Sequence, residues 1–269
     1  MTDPLVSIII PVFNAEAWIN ECIASALKQD YPNIELIICD NGSTDRSLQI
    51  IRQWNDPRLY LVHESKKGVG FARNKAMDAA RGQYLCFLDA DDVLPSDSIS
   101  LRMQVLMQDQ ACEFVDGHVA FMDTSLSKVN RLYVPAFSGN PIFELAALRD
   151  TCMCGITWLI RKKPDKSYRF PTDVTHCEDL LFYLSISETG TYRYVDKVVY
   201  RVRRGHQSAS ANLEGLSLGY KKVVETLKHI PSISAGEIAD TRARAKRIMW
   251  KSYLKQGQFL KALQTFIRW

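Results

Sequence analysis

The sequence predicts an α/β fold: a mostly parallel sheet flanked by helices, with a mixed extension of that sheet and a helical C-terminal segment. Three observations predict it. Over the first 110 residues short apolar runs alternate with helical stretches, the pattern of parallel βαβ units buried on both faces. The notable polar residues fall directly after those runs, where an open α/β sheet gathers its loops. Beyond that point the strands become shorter and the period loosens, and from Leu216 the chain turns mainly helical.

The strand candidates are Val6–Phe13 (VSIIIPVF), Ile34–Asp40 (IELIICD), Leu59–His63 and Gln83–Asp89 (QYLCFLD). Between them, Ala17–Lys28 carries apolar residues at 18, 19, 22, 23, 26 and 27, a helical spacing. The turn Asn41-Gly42-Ser43-Thr44 precedes a helix over Asp45–Trp54, with Ser43 and Thr44 as N-cap candidates. Val69–Ala80 and Ser96–Gln110 are the third and fourth helices. Later strands are expected at Glu113–Met122 and Tyr192–Val202, with helices near Ile142–Leu148 and Glu178–Glu188 and a break at Pro231–Ser234.

With 269 residues, 46% of them hydrophobic and 24% charged, the composition is that of a globular chain and excludes disordered or collagen-like classes. The start, Met1-Thr2-Asp3-Pro4, lacks the features of a signal peptide, and no apolar run approaches the ~20 residues of a membrane span. A cytosolic chain is therefore expected. Seven cysteines, an odd number, with Cys22, Cys39 and Cys86 inside apolar patterns, suit buried thiols. Charge is unevenly placed. Residues 201–269 carry 14 Lys+Arg against 4 Asp+Glu, whereas residues 1–200 carry 20 against 26. A basic tail on an acidic body marks a surface that meets phosphate or anionic lipid, or else a solvated helix face. In that tail Met249, Trp250, Tyr253, Leu254, Leu260, Leu263 and Ile267 follow helical spacing, and Arg247, Lys251 and Lys255 line another face. Such a helix lies in a membrane interface or docks its apolar side on the domain.

Four polar clusters share the predicted rim: Asn14, then Asp40–Ser43, then Glu64–Gly70, then Asp89–Asp92. In FLDADD three carboxylates crowd the end of a buried strand, and something must offset their repulsion. Hard cations such as Mg²⁺ or Mn²⁺ take one or two carboxylates while diphosphate and water complete the shell. For Asp92 alone, opening the next helix is an equal reading. Gly68-Val69-Gly70-Phe71-Ala72-Arg73 nearly matches the dinucleotide fingerprint. Arg73 stands where that motif wants a small residue, and the segment follows the third strand instead of the first. What remains is a glycine-containing loop flanked by Lys66, Lys67 and Arg73, suited to phosphate at a helix N-terminus. Glu178 and Asp179 open a helix; the macrodipole alone accounts for acids there, and a general base needs the same placement. Cys152-x-Cys154 with His176-Cys177 has awkward spacing for zinc.

Taken together, these segments resemble the family 2 glycosyltransferases of the GT-A fold, from Val6 to about Ser210. VSIIIPVFNAEAWINECIASALKQDYPNIELIICDNGSTDRS is similar to that family's nucleotide-binding opening. GVGFARNKAMDAARGQYLCFLDADD is similar to its central segment ending in D-x-D, and HCEDLLFYL to its acceptor-side E-D motif. The resemblance implies a GT-A domain over 1–212, with a nucleotide-sugar half to about 110 and an acceptor half over 111–212. Residues 213–269 form a basic helical extension.

By position, the resemblance implies that Pro11, Phe13, Asn14, Asp40, Gly42, Lys67, Arg73, Asp89 and Ala90 bind the nucleotide, with Asp40 reading the base and Asp89 near the ribose. Asp91 and His206 are implied metal ligands for Mn²⁺ or Mg²⁺, Asp179 the general base and Glu178 its neighbour at the acceptor. Asn41 departs from the pattern, since members often have a second Asp there. The implied reaction is inverting transfer from a nucleoside-diphosphate sugar, expected to be a UDP-sugar, to a glycan or lipid-linked acceptor in surface polysaccharide or lipopolysaccharide synthesis. A peripheral membrane contact through the basic tail is expected, and a nucleic-acid partner is not. The competing readings are a nucleotidyltransferase acting on a sugar phosphate and a non-catalytic nucleotide-sugar-binding module.

Overall fold

β1 (Val6–Val12) is buried along its whole length, and its side chains divide between two apolar layers. Ile8, Ile10 and Val12 join one cluster while Ile9 joins the other, as the period-2 geometry of a strand dictates. β2 (Ile34–Asp40) divides in the same way, with Leu36 and Ile38 against Ile37 and Cys39. The computed structural model describes residues 3–153, 155–205 and 212–267. β3 (Leu59–His63), β2, β1 and β4 (Tyr84–Phe87) pair in that order, all parallel. Three helices connect them: α1 (Ile19–Leu27), α2 (Ser47–Ile51) and α3 (Val69–Ala79). α1 and α4 (Ser98–Gln108) pack on the first layer and α3 on the second.

Beyond β4 the sheet becomes mixed, as expected. β7 (Leu159–Arg161) runs antiparallel to β4 and to β5 (Cys112–Met122), and β6 (Val129–Tyr133) pairs antiparallel with β5 on the same edge. β8 (Thr191–Arg203) runs parallel along β5's other edge. α5 (Ile142–Ala146) and α6 (Glu178–Ile186) belong to the second layer, which α7 (Leu213–Leu227) extends with Val223 and Leu227. α8 (Ala235–Lys255) follows the break expected at Pro231–Ser234 and opens on a capping box between Ser234 and Glu237. α9 (Phe259–Ile267) ends the described chain. Among the described residues no helix is long and apolar enough to cross a membrane, and the described cysteines are free thiols.

Two local expectations are corrected. Ser43 and Thr44 do not cap α2, whose N-cap position is Arg46 without a side-chain cap; they bond to Asn14 instead. Asp92 does not open α4. It is buried, and its carboxylate accepts the backbone N–H of Arg203, fastening the loop after β4 to the end of β8.

The part of the chain beyond β4 is built around aromatic contacts. Trp158 stacks on Tyr183 with ring centroids 3.8 Å apart, and Phe170 stacks on Phe182 at 4.1 Å. Asp116 is fully buried among these groups. Its Oδ2 accepts a hydrogen bond from Thr157 at 2.9 Å, while Oδ1 has no hydrogen-bond partner among the described residues. Burial pushes this carboxyl from 3.8 up to about 6, against the pull of the Gly117 amide, Thr157 and Arg102. A carboxyl whose folded pKa is raised costs stability as it ionises. The cost is absent below the unfolded pKa and complete above the folded one. Thermal unfolding should therefore show a loss of about 2–3 kcal/mol between pH 4 and pH 7 from this group. Asp116→Asn should flatten that fall, and identical pH slopes in the two proteins would refute the assignment.

Candidate active site

The β1–β4 ladder ends at Ile9 and Phe87. Past that register β1 continues beside β2 alone. Pro11, which has no N–H to donate, therefore sits where no partner on the β4 side requires one. This is also where the sheet's connections reverse direction, with β2 on one side of β1 and β4 on the other, and open α/β sheets bind ligands at such a point. A cleft of about 430 Å³ opens there. Pro11, Phe13, Asn14, Arg73, Asp89, Ala90, Asp91 and Glu178 all line it. So does Asn41, read above only as a departure from the family pattern, and so do Trp18, Val69, Ala72 and Thr175, which the sequence did not single out.

Arg73 is the centre of this cleft. Its residue is only 3% exposed, and the guanidinium donates to Asp89 Oδ1 at 2.8 Å and Glu178 Oε1 at 3.3 Å while lying over the Phe170 ring at 5.0 Å. Burial disfavours its charge, but Asp89 and Glu178 more than offset this and raise its pKa. Asn74, the next residue of α3, clamps the segment carrying Phe170. Its amide donates to the Phe170 carbonyl at 2.9 Å, and its Oδ1 accepts the Phe170 N–H at 2.8 Å. Gly70 permits this approach, since a Cβ there would stand 2.4 Å from the Pro171 carbonyl oxygen. The second glycine of the near-fingerprint thus serves helix–loop packing.

The rim is held by polar cross-links between loops. Asn14 adopts a left-handed backbone, φ 49°, which asparagine tolerates better than most residues. Its Oδ1 accepts the Thr44 N–H at 2.8 Å, and its own N–H donates to Ser43 Oγ at 3.1 Å. Asn41 donates to the carbonyls of Glu64 and Lys66, at 2.9 and 2.7 Å, and accepts the Gly68 N–H at 2.8 Å. An aspartate could not donate to two carbonyls. The departure at position 41 therefore has a structural consequence: it pins the loop before α3 to the end of β2.

Asp40, Gly42 and Lys67 are not among the residues lining the cleft. Asp40 is 5% exposed, and its carboxylate accepts the N–H groups of Gly42 and Ser43, both at 3.3 Å. Lys67 is exposed. Below Asp91, Arg203 donates from Nε to the Asp91 carbonyl at 2.9 Å and from Nη2 to Glu21 at 2.6 Å, and stacks over Trp18 at 4.4 Å. Tyr200 Oη accepts the Asp89 N–H at 3.0 Å. The end of β8 therefore shapes the D-x-D loop.

Glu178 and Asp179 begin α6 after Cys177, which is left-handed at φ 63°. Their side chains part. Glu178 enters the cleft, whereas Asp179 lines an adjoining pocket of about 290 Å³ with Leu145, Leu148, Met153, Leu216 and Tyr220. Burial raises both pKa values; Asp179 adds to the rise at Glu178, and Arg73 opposes it at both. α7 supports this turn through two glycines, since a Cβ at Gly219 would meet the His176 carbonyl oxygen at 2.5 Å and one at Gly215 the His176 ring at 2.6 Å.

Among the described residues no group of three or more His, Cys, Asp or Glu converges as a metal site. His206 and Cys154 lie outside the described residues. Asp89 and Asp91 do place two hard oxygen donors in one cleft, a donor set that suits Mg²⁺ or Mn²⁺ when diphosphate and water supply the other positions.

Comparison with known proteins agrees with this geometry. An uncharacterized glycosyltransferase of Haemophilus influenzae is 33% identical over 217 residues, covering 79% of this chain and 84% of its own length. Chondroitin synthase of Escherichia coli is 30% identical over 82% of the chain, which spans only 32% of that longer protein. Among solved structures, residues 1–349 of S. aureus TarS in complex with UDP-GlcNAc superpose with a TM-score of 0.73 at 20% identity, covering 98% of this chain and 80% of that one. The family model for glycosyl transferase family 2 matches residues 7–169, and the chain belongs to that family.

Proposed function

We propose that the chain is an inverting glycosyltransferase. It moves a sugar from a nucleoside diphosphate, taken to be UDP, to a hydroxyl of a glycan or lipid-linked acceptor in the assembly of a bacterial surface polysaccharide or lipopolysaccharide. The observation that carries this reading is the junction at Arg73, where a cleft at the sheet's switch point meets the acids that open α6. The fold it shares with a UDP-GlcNAc complex and the likeness to a chondroitin synthase support a uridine nucleotide and a polysaccharide product.

In the proposed step Asp179 takes the proton of the acceptor hydroxyl as that oxygen bonds to the anomeric carbon. The bond from that carbon to the donor phosphate oxygen breaks on the opposite face, and the nucleoside diphosphate leaves with the electron pair. Burial lifts the Asp179 carboxyl toward the range in which a base works, while Arg73 keeps it from rising further. Asp91, with Asp89 beside it, would hold Mn²⁺ or Mg²⁺, whose charge stabilises the leaving diphosphate. Arg73 acts as a positioning residue, fixing Asp89 and Glu178 against one another. A nucleotidyltransferase fits less well, because the loop after β1 carries no glycine-rich basic signature.

The tail's membrane contact is assigned to α9. Phe259, Leu260 and Leu263 are 66%, 77% and 63% exposed, and Lys255 and Lys261 lie close by in sequence. Lys261 is paired with Glu214 at 2.6 Å, and the exposed apolar face itself suits insertion at a bilayer surface.

Asp179→Asn should reduce transfer from UDP-sugars by a factor of about 10² to 10⁴, the contribution of general base catalysis, while leaving UDP affinity unchanged in calorimetry. In the wild type, activity should fall on the acid side at a higher pH than for an ordinary carboxylate, because the base must be ionised. Near-normal turnover of Asp179→Asn would remove the base assignment. Asp91→Ala should abolish the enhancement of UDP binding by added Mn²⁺, and an unchanged Mn²⁺ titration would exclude Asp91 as the ligand. Leu260→Glu with Leu263→Glu should release the protein from phosphatidylglycerol vesicles in a sedimentation assay, and equal co-sedimentation would reject the membrane contact.

A further inference from the structure

A concavity of about 670 Å³ lies between α5 and α8, away from the cleft already described. Arg244, Arg247 and Lys251 line one wall, and Arg149 lies opposite, just past α5. The α8 cations are spaced three and four residues apart, so they share one helix face. Among the described residues none of these three has a carboxylate partner within salt-bridge distance, while Arg149 is paired with Glu144. Two acids also border the cavity. Glu237 accepts the capping-box hydrogen bonds of Ser234, which favour its ionised form, and Asp240 is the second counter-charge. The lining therefore carries four cations against two acids, a net positive wall in a chain whose first 200 residues are acidic.

Its position matters more than its charge. Arg149 lines both this cavity and the pocket holding Asp179. Tyr220 forms part of the Asp179 pocket; burial pushes its phenol up to about 12, and the charge of Arg244 pulls it back. The basic cavity and the Asp179 pocket thus adjoin at α5 and at the Tyr220–Arg244 approach. These cations are exposed, as on a solvated helix face, but they line a concavity that shares Arg149 with the pocket of the proposed base.

We propose that the α5–α8 cavity is an acceptor subsite for a phosphate or phosphodiester group, held by Arg244, Arg247, Lys251 and Arg149 while a neighbouring hydroxyl of the same molecule reaches Asp179. Guanidinium forks match phosphate oxygens in pairs, and several cations in one concavity favour an oxyanion over a neutral saccharide. The inference deepens the glycosyltransferase reading and rests on Asp179 marking the acceptor side. The phosphate has two sources, a phosphodiester within a growing polymer or the headgroups of a bilayer. The cavity favours the first, since it shares a wall with the Asp179 pocket, and α9 already offers an exposed apolar face.

The test uses the full chain and a variant carrying Arg244→Ala, Arg247→Ala and Lys251→Ala. Melting temperature and UDP affinity serve as controls for folding. The probe is a fluorescently labelled glycerol-phosphate oligomer, followed by anisotropy, with a neutral dextran oligomer of equal length as comparison. Wild type should bind the phosphate oligomer, weaken as salt is added, and ignore dextran. The triple variant should bind about tenfold or more weakly, a change of roughly 1.4 kcal/mol or more. Equal affinity in wild type and variant, or equal binding of dextran, overturns the proposal. So does a variant that loses phosphatidylglycerol vesicles yet keeps the oligomer, which would make the cavity a membrane contact. Should Asp179→Asn retain turnover, the base assignment fails independently of this result, because oligomer affinity does not depend on chemistry.

Discussion

One buried guanidinium joins the two halves of this molecule. Arg73 comes from α3, whose neighbouring residue Asn74 clamps the Phe170 segment. Its two carboxylate partners come from the end of β4 and the start of α6, 16 and 105 residues away in sequence. An unpaired charge at this depth would be costly, and each acid without the cation would suffer the same penalty. The three groups are therefore interdependent, and the position of any one fixes the other two. The Phe170–Phe182 stack beneath them keeps water from the guanidinium face and ties the same junction into the second apolar layer.

The cleft follows from where the ladder stops. Because β4 leaves β1 after Phe87, its following acids fall beside Pro11–Ala15 instead of continuing the sheet. Three loops then need fastening, and each fastening is specific. Asn14 ties the first loop to Ser43 and Thr44, Asn41 ties the second to the loop before α3, and Asp92 with Arg203 ties the fourth to β8. The carboxylates of FLDADD are thereby separated in role. Asp89 faces Arg73, Asp91 faces the cleft, and Asp92 is buried as an acceptor for backbone, its pKa raised well above the usual range by burial and by its two neighbours.

Much of this was legible in the sequence, and the exceptions have physical causes. β1, β2 and β4 announce themselves because strands buried in a parallel sheet are apolar runs. β7 was missed because three residues give no period, and β6 because it is largely exposed and carries little apolar signal. Of the cleft residues, Asn14, Asp89, Ala90 and Asp91 were named beforehand because rim loops follow strand ends, Arg73 because it flanks a glycine-containing loop, Glu178 because it opens a helix, and Pro11 and Phe13 through the family resemblance. Asn41 was read only as a departure from a pattern, since its three hydrogen bonds reach partners 23 to 27 residues away. The divergence of Glu178 and Asp179 was equally invisible. Adjacent residues in a first helical turn point about 100° apart, but which one meets the cleft depends on how α7 seats against Cys177.

That dependence changes the meaning of the C-terminal helices. Gly215 and Gly219, one helical turn apart, present a flat strip on which His176 and Cys177 rest, and Leu216 and Tyr220 from the same helix wall the pocket of Asp179. Sequence reading treated this stretch as a charged appendage. Its apolar residues are divided between two tasks, with Met249 and Tyr253 packed against Leu213 while Leu260 and Leu263 remain exposed. The charge split follows the same geometry. Acids collect where α6 and the β4 loop converge on Arg73, and the cations of α8 collect beyond α5. An anionic ligand entering from α8 therefore meets cations before it meets the acids around Arg73. On the proposed acceptor reading, a field arranged in that order would orient an acceptor by its phosphate and leave its hydroxyl end for Asp179.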